Sequence, residues 1–180
     1  MRPIAVNFYG GPGTGKSTMA AAVFAELKSR GVNCELVTEY AKKKVWEEAY
    51  KVFEYQFYVC AKQAYHMFVV SKHVDIMVTD SPIIMSAAYT NNDRPLMEIV
   101  AREHCRYDNI EIFLTRVKPY NPKGRMQTED EAREKDNQIK SILEDHGIAY
   151  VTYPGNGPDN ASEIADYVQA EMAKRRNENT

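Results

Sequence analysis

The chain has 180 residues, 44% hydrophobic and 27% charged, which is ordinary for a globular protein and excludes collagen-like, wholly disordered and small disulfide-stapled chains. Lys+Arg 23 against Asp+Glu 25 gives a formal net charge of −2, so no global positive field exists to capture nucleic acid or an anionic membrane, although a local basic patch is compatible with it. Three widely spaced cysteines (Cys34, Cys60, Cys105) form no CxxC or Cys/His pattern, which argues against a disulfide framework or a zinc site and for a reducing compartment. No apolar run reaches the length of a membrane span, and motif-bearing sequence begins at residue 4, leaving no room for a leader peptide.

In chain order, Ile4 to Tyr9 is a short apolar run that stops at glycines, as a buried parallel strand does. From 17 to 30 the period becomes helical, with Met19, Val23, Phe24 and Leu27 on one face and Gly31 as a stop. Residues 34–38 read as a second strand. The stretch 41–73 is helical with one break near Tyr50, and Phe57, Cys60, Ala61, Ala64 and Phe68 share its expected buried face. A third strand, 75–79, ends at Asp80-Ser81-Pro82. A helix starts at Pro95 and runs to about Arg106, before a fourth strand over 110–114. Residues 116–127 are polar, carry Pro119, Pro122 and Gly124, and form a loop. Thr128-Glu129-Asp130-Glu131 fits a capping box opening a helix to about Asp145. A fifth strand (149–153), the turn 154–158 and a helix with Ile164, Val168 and Met172 inward complete the pattern. The end from Lys174 to Thr180 is polar and expected to fray. Strands alternating with helices predict an α/β fold, a five-stranded parallel sheet with helices on both faces, in a single domain over 1–180. Ligands then gather at the carboxyl ends of the strands.

Gly10-Gly11-Pro12-Gly13-Thr14-Gly15-Lys16-Ser17 matches GxxxxGK[ST] in full, between a strand and a helix, and Thr18 follows it. Glycines let consecutive N–H groups point at phosphate oxygens, and the next helix presents its positive end. Lys16 is placed to reach the β- and γ-phosphates and Ser17 to ligate Mg²⁺. The motif predicts a P-loop nucleoside-triphosphate site, with ATP and Mg²⁺ as cofactors.

P-loop proteins include switches, motors and kinases. No NKxD guanine-reading motif occurs, and the third strand ends Thr79-Asp80-Ser81-Pro82, without the glutamate that positions water in hydrolytic motors. Asp80 remains suited to hold Mg²⁺, or to cap a helix. Arg116, Lys118, Lys123 and Arg125 precede any acid in the 116–127 loop, as in a phosphotransferase lid that stabilises the migrating group and excludes water. Arg125 and Arg133 are the candidate lid arginines of a lid spanning about 116–133, with Arg116 a framework or adenine-side contact. Glu39 ends the second strand, where a carboxylate orients a substrate hydroxyl and accepts its proton, or pairs with Lys42 or Lys43. With Tyr40 beside it and no arginine until Arg94, the sequence favours an alcohol acceptor over a nucleoside monophosphate. Gln56 and Gln63, two turns apart, offer amides to a base edge while Tyr55 or Tyr58 stacks, though aromatics at this spacing are more often core. Lysines 42–44 beside Trp46 read as a solvated helix face. Gly155 lies in the turn where P-loop kinases place adenine.

The distinctive segments are Thr38-Glu39-Tyr40-Ala41-Lys42 with Trp46, Thr79-Asp80-Ser81-Pro82-Ile83, and Lys118-Pro119-Tyr120-Asn121-Pro122-Lys123-Gly124-Arg125-Met126-Gln127-Thr128. On these the chain resembles the thymidylate-kinase-like branch of P-loop kinases, and within it the small bacteriophage kinases that phosphorylate 5-hydroxymethyluracil in DNA during thymine hypermodification. Thymidylate kinases follow the third-strand aspartate with an arginine that holds the monophosphate, and Ser81 stands there instead. Nicotinamide-riboside kinases share the general layout. The resemblance implies transfer of the ATP γ-phosphoryl to the hydroxymethyl oxygen of a base in DNA, with Glu39 orienting the hydroxyl and basic residues of the lid and of 42–44 carrying the strand. It also implies a cytoplasmic location (host cytoplasm if phage-encoded), with no membrane or protein partner. The alternatives are a small-molecule nucleoside, nicotinamide-riboside or nucleotide kinase, and an ATP-binding accessory protein or ATPase without phosphotransfer.

Overall fold

The computed structural model describes residues 2–90, 93–117 and 128–178. Five strands, β1 (Ile4–Tyr9), β2 (Cys34–Val37), β3 (Ile76–Thr79), β4 (Asp108–Thr115) and β5 (Val151–Pro154), form one parallel sheet of order β2-β3-β1-β4-β5. The register pairs Ile4 with Ile76 on one side of β1 and with Asp108 on the other, so β1 is central and buried along its whole length. A strand covered on both faces needs apolar residues at every position rather than alternate ones, which is why Ile4 to Tyr9 lacks a polar stripe.

The helices are α1 (Lys16–Ser29), α2 (Tyr40–Trp46), α3 (Gln56–Val70), α4 (Arg94–His104), α5 (Glu129–Asp145) and α6 (Ala161–Glu178). On one face of the sheet Val6, Phe8, Ile112 and Leu114 meet Val23 and Leu27 of α1 and Ile164 and Val168 of α6. The other face packs Ala5, Met77 and Phe113 against Cys60 and Met67 of α3, Val100 of α4 and Leu143 of α5. Each large side chain removed from water here stabilises the fold by roughly 1.5–3 kcal/mol. Arg30, closing α1, donates to Asp166 and Gln169 of α6 and so ties the two helices together. A polar knot sits within the second layer: Glu111 accepts from Asn7 Nδ2 (2.9 Å) and the Tyr9 hydroxyl (2.7 Å), and His104 Nε2 lies 3.0 Å from its other oxygen.

Several expectations are corrected. The buried face of α3 carries Cys60, Gln63 and Met67, whereas Phe57 and Phe68 are 45% and 44% exposed. Those two rings belong to a neighbouring stripe of the same period, and sequence periodicity alone does not say which of two apolar stripes meets the core. The break between helices falls at Glu47–Ala49, where Glu48 takes a left-handed φ of 55°, and a 3-10 segment (Tyr50–Glu54) precedes α3. A further 3-10 segment, Ile83–Tyr89, has no counterpart in the sequence reading. Asp93 caps α4 by accepting from Leu96 N, with Pro95 in the first turn, and α4 ends at His104 rather than Arg106. The C-terminal helix continues past Lys174, because Arg175 donates to the Asn109 carbonyl (2.9 Å) and Arg176 lies 3.6 Å from Asp75. The capping box forms as expected, Thr128 Oγ1 accepting from Glu131 N while Glu131 accepts from Thr128 N. Lys118, Lys123 and Arg125 lie outside the described residues. No helix among the described residues is long and apolar enough to cross a membrane.

Candidate active site

Residues 10–17 turn between β1 and α1 at the carboxyl edge of the sheet. Gly15 caps α1 at a φ of 94°, a left-handed conformation that L side chains rarely adopt, and its carbonyl starts the helix by accepting from Met19 N. Thr14 is buried and its hydroxyl donates to the Gly11 carbonyl (3.0 Å), while Ser17 and Thr18 stay exposed at the helix start. The Lys16 ammonium folds onto the loop, donating to the carbonyls of Gly10 (2.6 Å) and Gly11 (3.1 Å). Burial pushes its pKa down, opposed by the charges of Glu39, Asp80 and Asp136. A desolvated cation beside three carboxylates is poised to exchange those carbonyls for phosphate oxygens.

On the β4–β5 side the loop is braced by the protein. Arg116 is buried and donates to Pro12 O (2.9 Å), Ala132 O (3.4 Å) and Asp136 Oδ2 (3.0 Å). Asp136 Oδ1 accepts from Gly11 N. These contacts fasten α5 to the loop through Arg116, in keeping with the framework role among the two expected for it. Gly155 lies against the same flank, its N–H donating to Thr115 O (2.8 Å). A Cβ there would stand 2.0 Å from Thr14 O, so the last strand approaches the loop as closely as backbone permits. Gly155 thus has a steric role, setting how closely the end of β5 meets the loop.

The β2–β3 side is open. A cleft of about 370 Å³ is lined by Ser17, Thr38, Glu39, Lys42, Lys43, Trp46 and Asp80 over an apolar floor of Ala21 and Leu36. Glu39 is the N-cap residue of α2. Its carboxyl pKa is raised, chiefly by burial; Lys16 and Lys42 oppose the shift and Asp80 adds to it. Asp80 follows β3, is 4% exposed, and its Oδ1 has no hydrogen-bond partner among the described residues. A buried carboxylate oxygen left unpaired is costly, and a hydrated divalent cation held jointly with the Ser17 hydroxyl would satisfy it. The donor set, one carboxylate and one hydroxyl beside a phosphate loop, fits Mg²⁺, which takes few protein ligands and completes its shell with water and phosphate oxygens.

The remaining expected site residues lie elsewhere. Tyr40 is buried behind α2, its N–H donating to Gln63 Oε1 (2.9 Å) and its ring edge-on to Tyr58 and His66. Gln63 is 4% exposed with its Nε2 unpartnered among the described residues, and Gln56 Nε2 donates to Phe53 O (2.7 Å). None of the three lines the cleft. Arg133 is 60% exposed and pairs with Glu129 (2.8 Å) one turn back, on the solvent side of α5. Sequence reasoning missed Asp136; it read Lys42, Lys43 and Trp46 as a solvated helix face, and all three are exposed while also lining the cleft. The signal for the last three was present: they follow Glu39 at i+3, i+4 and i+7, which is one helical face.

A phosphate loop leading from the central strand of a parallel sheet into a helix, with an aspartate at the end of the adjacent strand, defines a P-loop nucleoside-triphosphate-binding fold. The chain belongs to the family described as an AAA domain (AAA_28), whose model matches residues 5–159. It is similar in structure to NadR protein in complex with NR, at 16% identity and a TM-score of 0.65, covering 93% of this chain and 51% of that one. The chain thus spans about half the length of that protein, and the likeness is one of fold. A mutant of the Mycobacterium tuberculosis APS kinase CysC is also similar, at 18% identity and a TM-score of 0.40, covering 80% of this chain and 99% of that one. No curated protein matches the sequence.

Proposed function

We propose that the chain is a kinase that uses ATP and Mg²⁺ to phosphorylate a hydroxyl of a nucleoside-like acceptor, and that this acceptor is the hydroxymethyl group of 5-hydroxymethyluracil in DNA. The observation that carries the kinase reading is Glu39: a carboxylate with raised pKa, in a cleft that also holds Ser17 and Asp80 and opens beside Lys16. A hydrolase needs a residue that positions water, whereas a buried carboxylate at the mouth of an open cleft suits proton transfer from a bound alcohol.

In this reading the N–H groups of residues 13–17 and the Lys16 ammonium hold the β- and γ-phosphates of ATP. Glu39 orients the acceptor hydroxyl and takes its proton as the oxygen forms its bond to the γ-phosphorus and the bond from that phosphorus to the ADP oxygen breaks. Asp80 and Ser17 would hold Mg²⁺, which when bound neutralises phosphate charge. Arg125 supplies positive charge from the lid, and the Arg116–Asp136 pair keeps the loop in register with α5. The DNA acceptor is supported by the three segments of family resemblance, by Ser81 in place of a monophosphate-holding arginine, and by two lysines on the cleft wall.

Transfer of label from γ-labelled ATP with Mg²⁺ to a panel of acceptors tests the proposal. The panel holds free nucleosides, nicotinamide riboside, nucleoside monophosphates, ordinary DNA and DNA containing 5-hydroxymethyluracil. Label in the modified DNA alone is expected. Label in a free nucleoside or in nicotinamide riboside moves the chain to the small-molecule kinases, and phosphate released with no acceptor labelled overturns the kinase reading.

A further inference from the structure

The wall of the cleft that begins at Glu39 is made by α2, and its chemistry is mixed in a way that phosphoryl transfer alone does not require. Lys42, Lys43 and Trp46 stand on the same helical face as Glu39. Lys44, between them in sequence, turns away: its ammonium bonds Glu47 and lies 5.5 Å from the centre of the Tyr40 ring. Lys42 forms no ion pair among the described residues, and Lys43 reaches Glu47 only at 3.9 Å. Trp46 is 75% exposed, and among the described residues no ring or cation rests on its indole. A tryptophan left this open at the lip of a polar cleft is a free stacking surface, because every base has a π-face and the indole presents the largest aromatic one. Two lysines beside it, about one helical turn beyond Glu39, put positive charge on the cleft wall where an anion attached to the acceptor can be held.

We infer that Trp46, Lys42 and Lys43 form an acceptor-recognition subsite, in which the indole stacks on a planar base and the two ammonium groups hold a phosphate attached to the same nucleotide unit. The inference rests on the kinase reading above and narrows its acceptor. The ligand is a base that carries phosphate on its sugar, as a nucleotide or as a residue of a strand, while a neutral nucleoside fills only part of the subsite. The anion held by Lys42 and Lys43 is not the group that receives the γ-phosphoryl. That group is the hydroxyl at Glu39, about one turn back along α2.

Trp46 is the only tryptophan in the chain, so its fluorescence reports on the subsite without turnover. The full chain is titrated in four arms: 5-hydroxymethyl-2′-deoxyuridine, its 3′,5′-bisphosphate, a five-nucleotide DNA strand containing that residue, and ATP with Mg²⁺ alone. The bisphosphate is expected to quench at a concentration about tenfold or more below that needed for the nucleoside, the gain a pair of phosphate contacts supplies at low salt. The strand arm separates a lone nucleotide from polymer as the source of the phosphate. Lys42→Gln with Lys43→Gln is expected to bring the bisphosphate's half-point up to that of the nucleoside. Trp46→Ala, at an exposed position, is expected to raise the acceptor KM about tenfold or more, the scale of a lost base-stacking contact, while the KM for ATP stays within about twofold. Equal quenching by nucleoside and bisphosphate overturns the phosphate contact. Quenching by ATP alone makes the wall a donor site and overturns the subsite. No quenching by an acceptor that the protein does phosphorylate overturns the subsite and leaves the kinase reading standing. Quenching without transfer to any acceptor instead overturns the kinase reading on which the subsite rests.

Discussion

The two flanks of the phosphate loop are built on opposite principles. On the β4–β5 side Arg116, Asp136 and Gly155 satisfy the loop from within the protein, by ion pair, hydrogen bonds and backbone contact. On the β2–β3 side a buried Asp80 oxygen has no partner among the described residues, Glu39 is held away from its ordinary protonation range, and a cleft stands open. A satisfied network resists change, whereas groups desolvated before a ligand arrives gain partners when it binds. Rigidity on one flank and unmet polar demand on the other is what a site needs if it is to hold one substrate in fixed register and admit a second.

The strongest way to break this contrast is Glu39→Gln. Loss of the base is expected to lower kcat about 10²- to 10⁴-fold with the ATP KM nearly unchanged, measured by steady-state transfer to the acceptor. In the parent protein the rate falls as pH drops through the raised Glu39 value, so the acid limb of the kcat/KM profile for the acceptor lies above the ordinary glutamate range near about 4.3, and the variant lacks that limb. The same shift fixes a sign for stability. Folded Glu39 binds its proton more tightly than the unfolded chain does, so its charge works against folding at neutral pH and that cost is relieved as pH falls through the raised value. Glu39→Gln is therefore expected to melt higher than the parent at pH 7 by calorimetry, an activity loss joined to a stability gain.

Arg116→Ala attacks the opposite flank and should reverse that pairing. It leaves the half-buried Asp136 without its cation and the Pro12 carbonyl without its donor, which is expected to cost about 2–3 kcal/mol in chemical denaturation. Gly155→Ala is a milder probe. Its Cβ would meet the Thr14 carbonyl, so a loss of about 1–3 kcal/mol and a raised ATP KM are expected. Arg133→Ala should do least, with stability changed by no more than about 0.5 kcal/mol, because its partner Glu129 is a surface neighbour on the same helix. A large loss of kcat in that variant would show that α5 turns its solvent face toward the substrate during turnover.

Much of this was legible from local pattern. The phosphate loop, the alternation of strands and helices, and the capping box at Thr128 are each specified by residues within a few positions of one another, and the structure forms them where the sequence places them. Glu39 and Asp80 were legible because strand ends meet the loop in any parallel sheet built this way. Elements set by distant partners were not. Arg116 could be read as nucleotide contact or framework until Asp136, 20 residues on, was seen to meet Gly11. Gln63 carried a plausible base-reading amide that Tyr40, 23 residues earlier, claims with its backbone N–H. Phe57 and Phe68 misled because α3 has two apolar stripes, and only its packing chooses between them.

The joining of α1 to α6 bears on the order in which the protein can mature. The face of the sheet that carries Val6 and Phe8 is covered in part by Ile164 and Val168, which are made roughly 150 residues later. Until α6 arrives, that layer stays open to water and to other chains, and the Arg30 contacts with Asp166 and Gln169 cannot form. The phosphate loop is synthesised well before the helix that closes its supporting layer, so a stall between the two would leave a nascent chain with its motif intact and its hydrophobic face exposed.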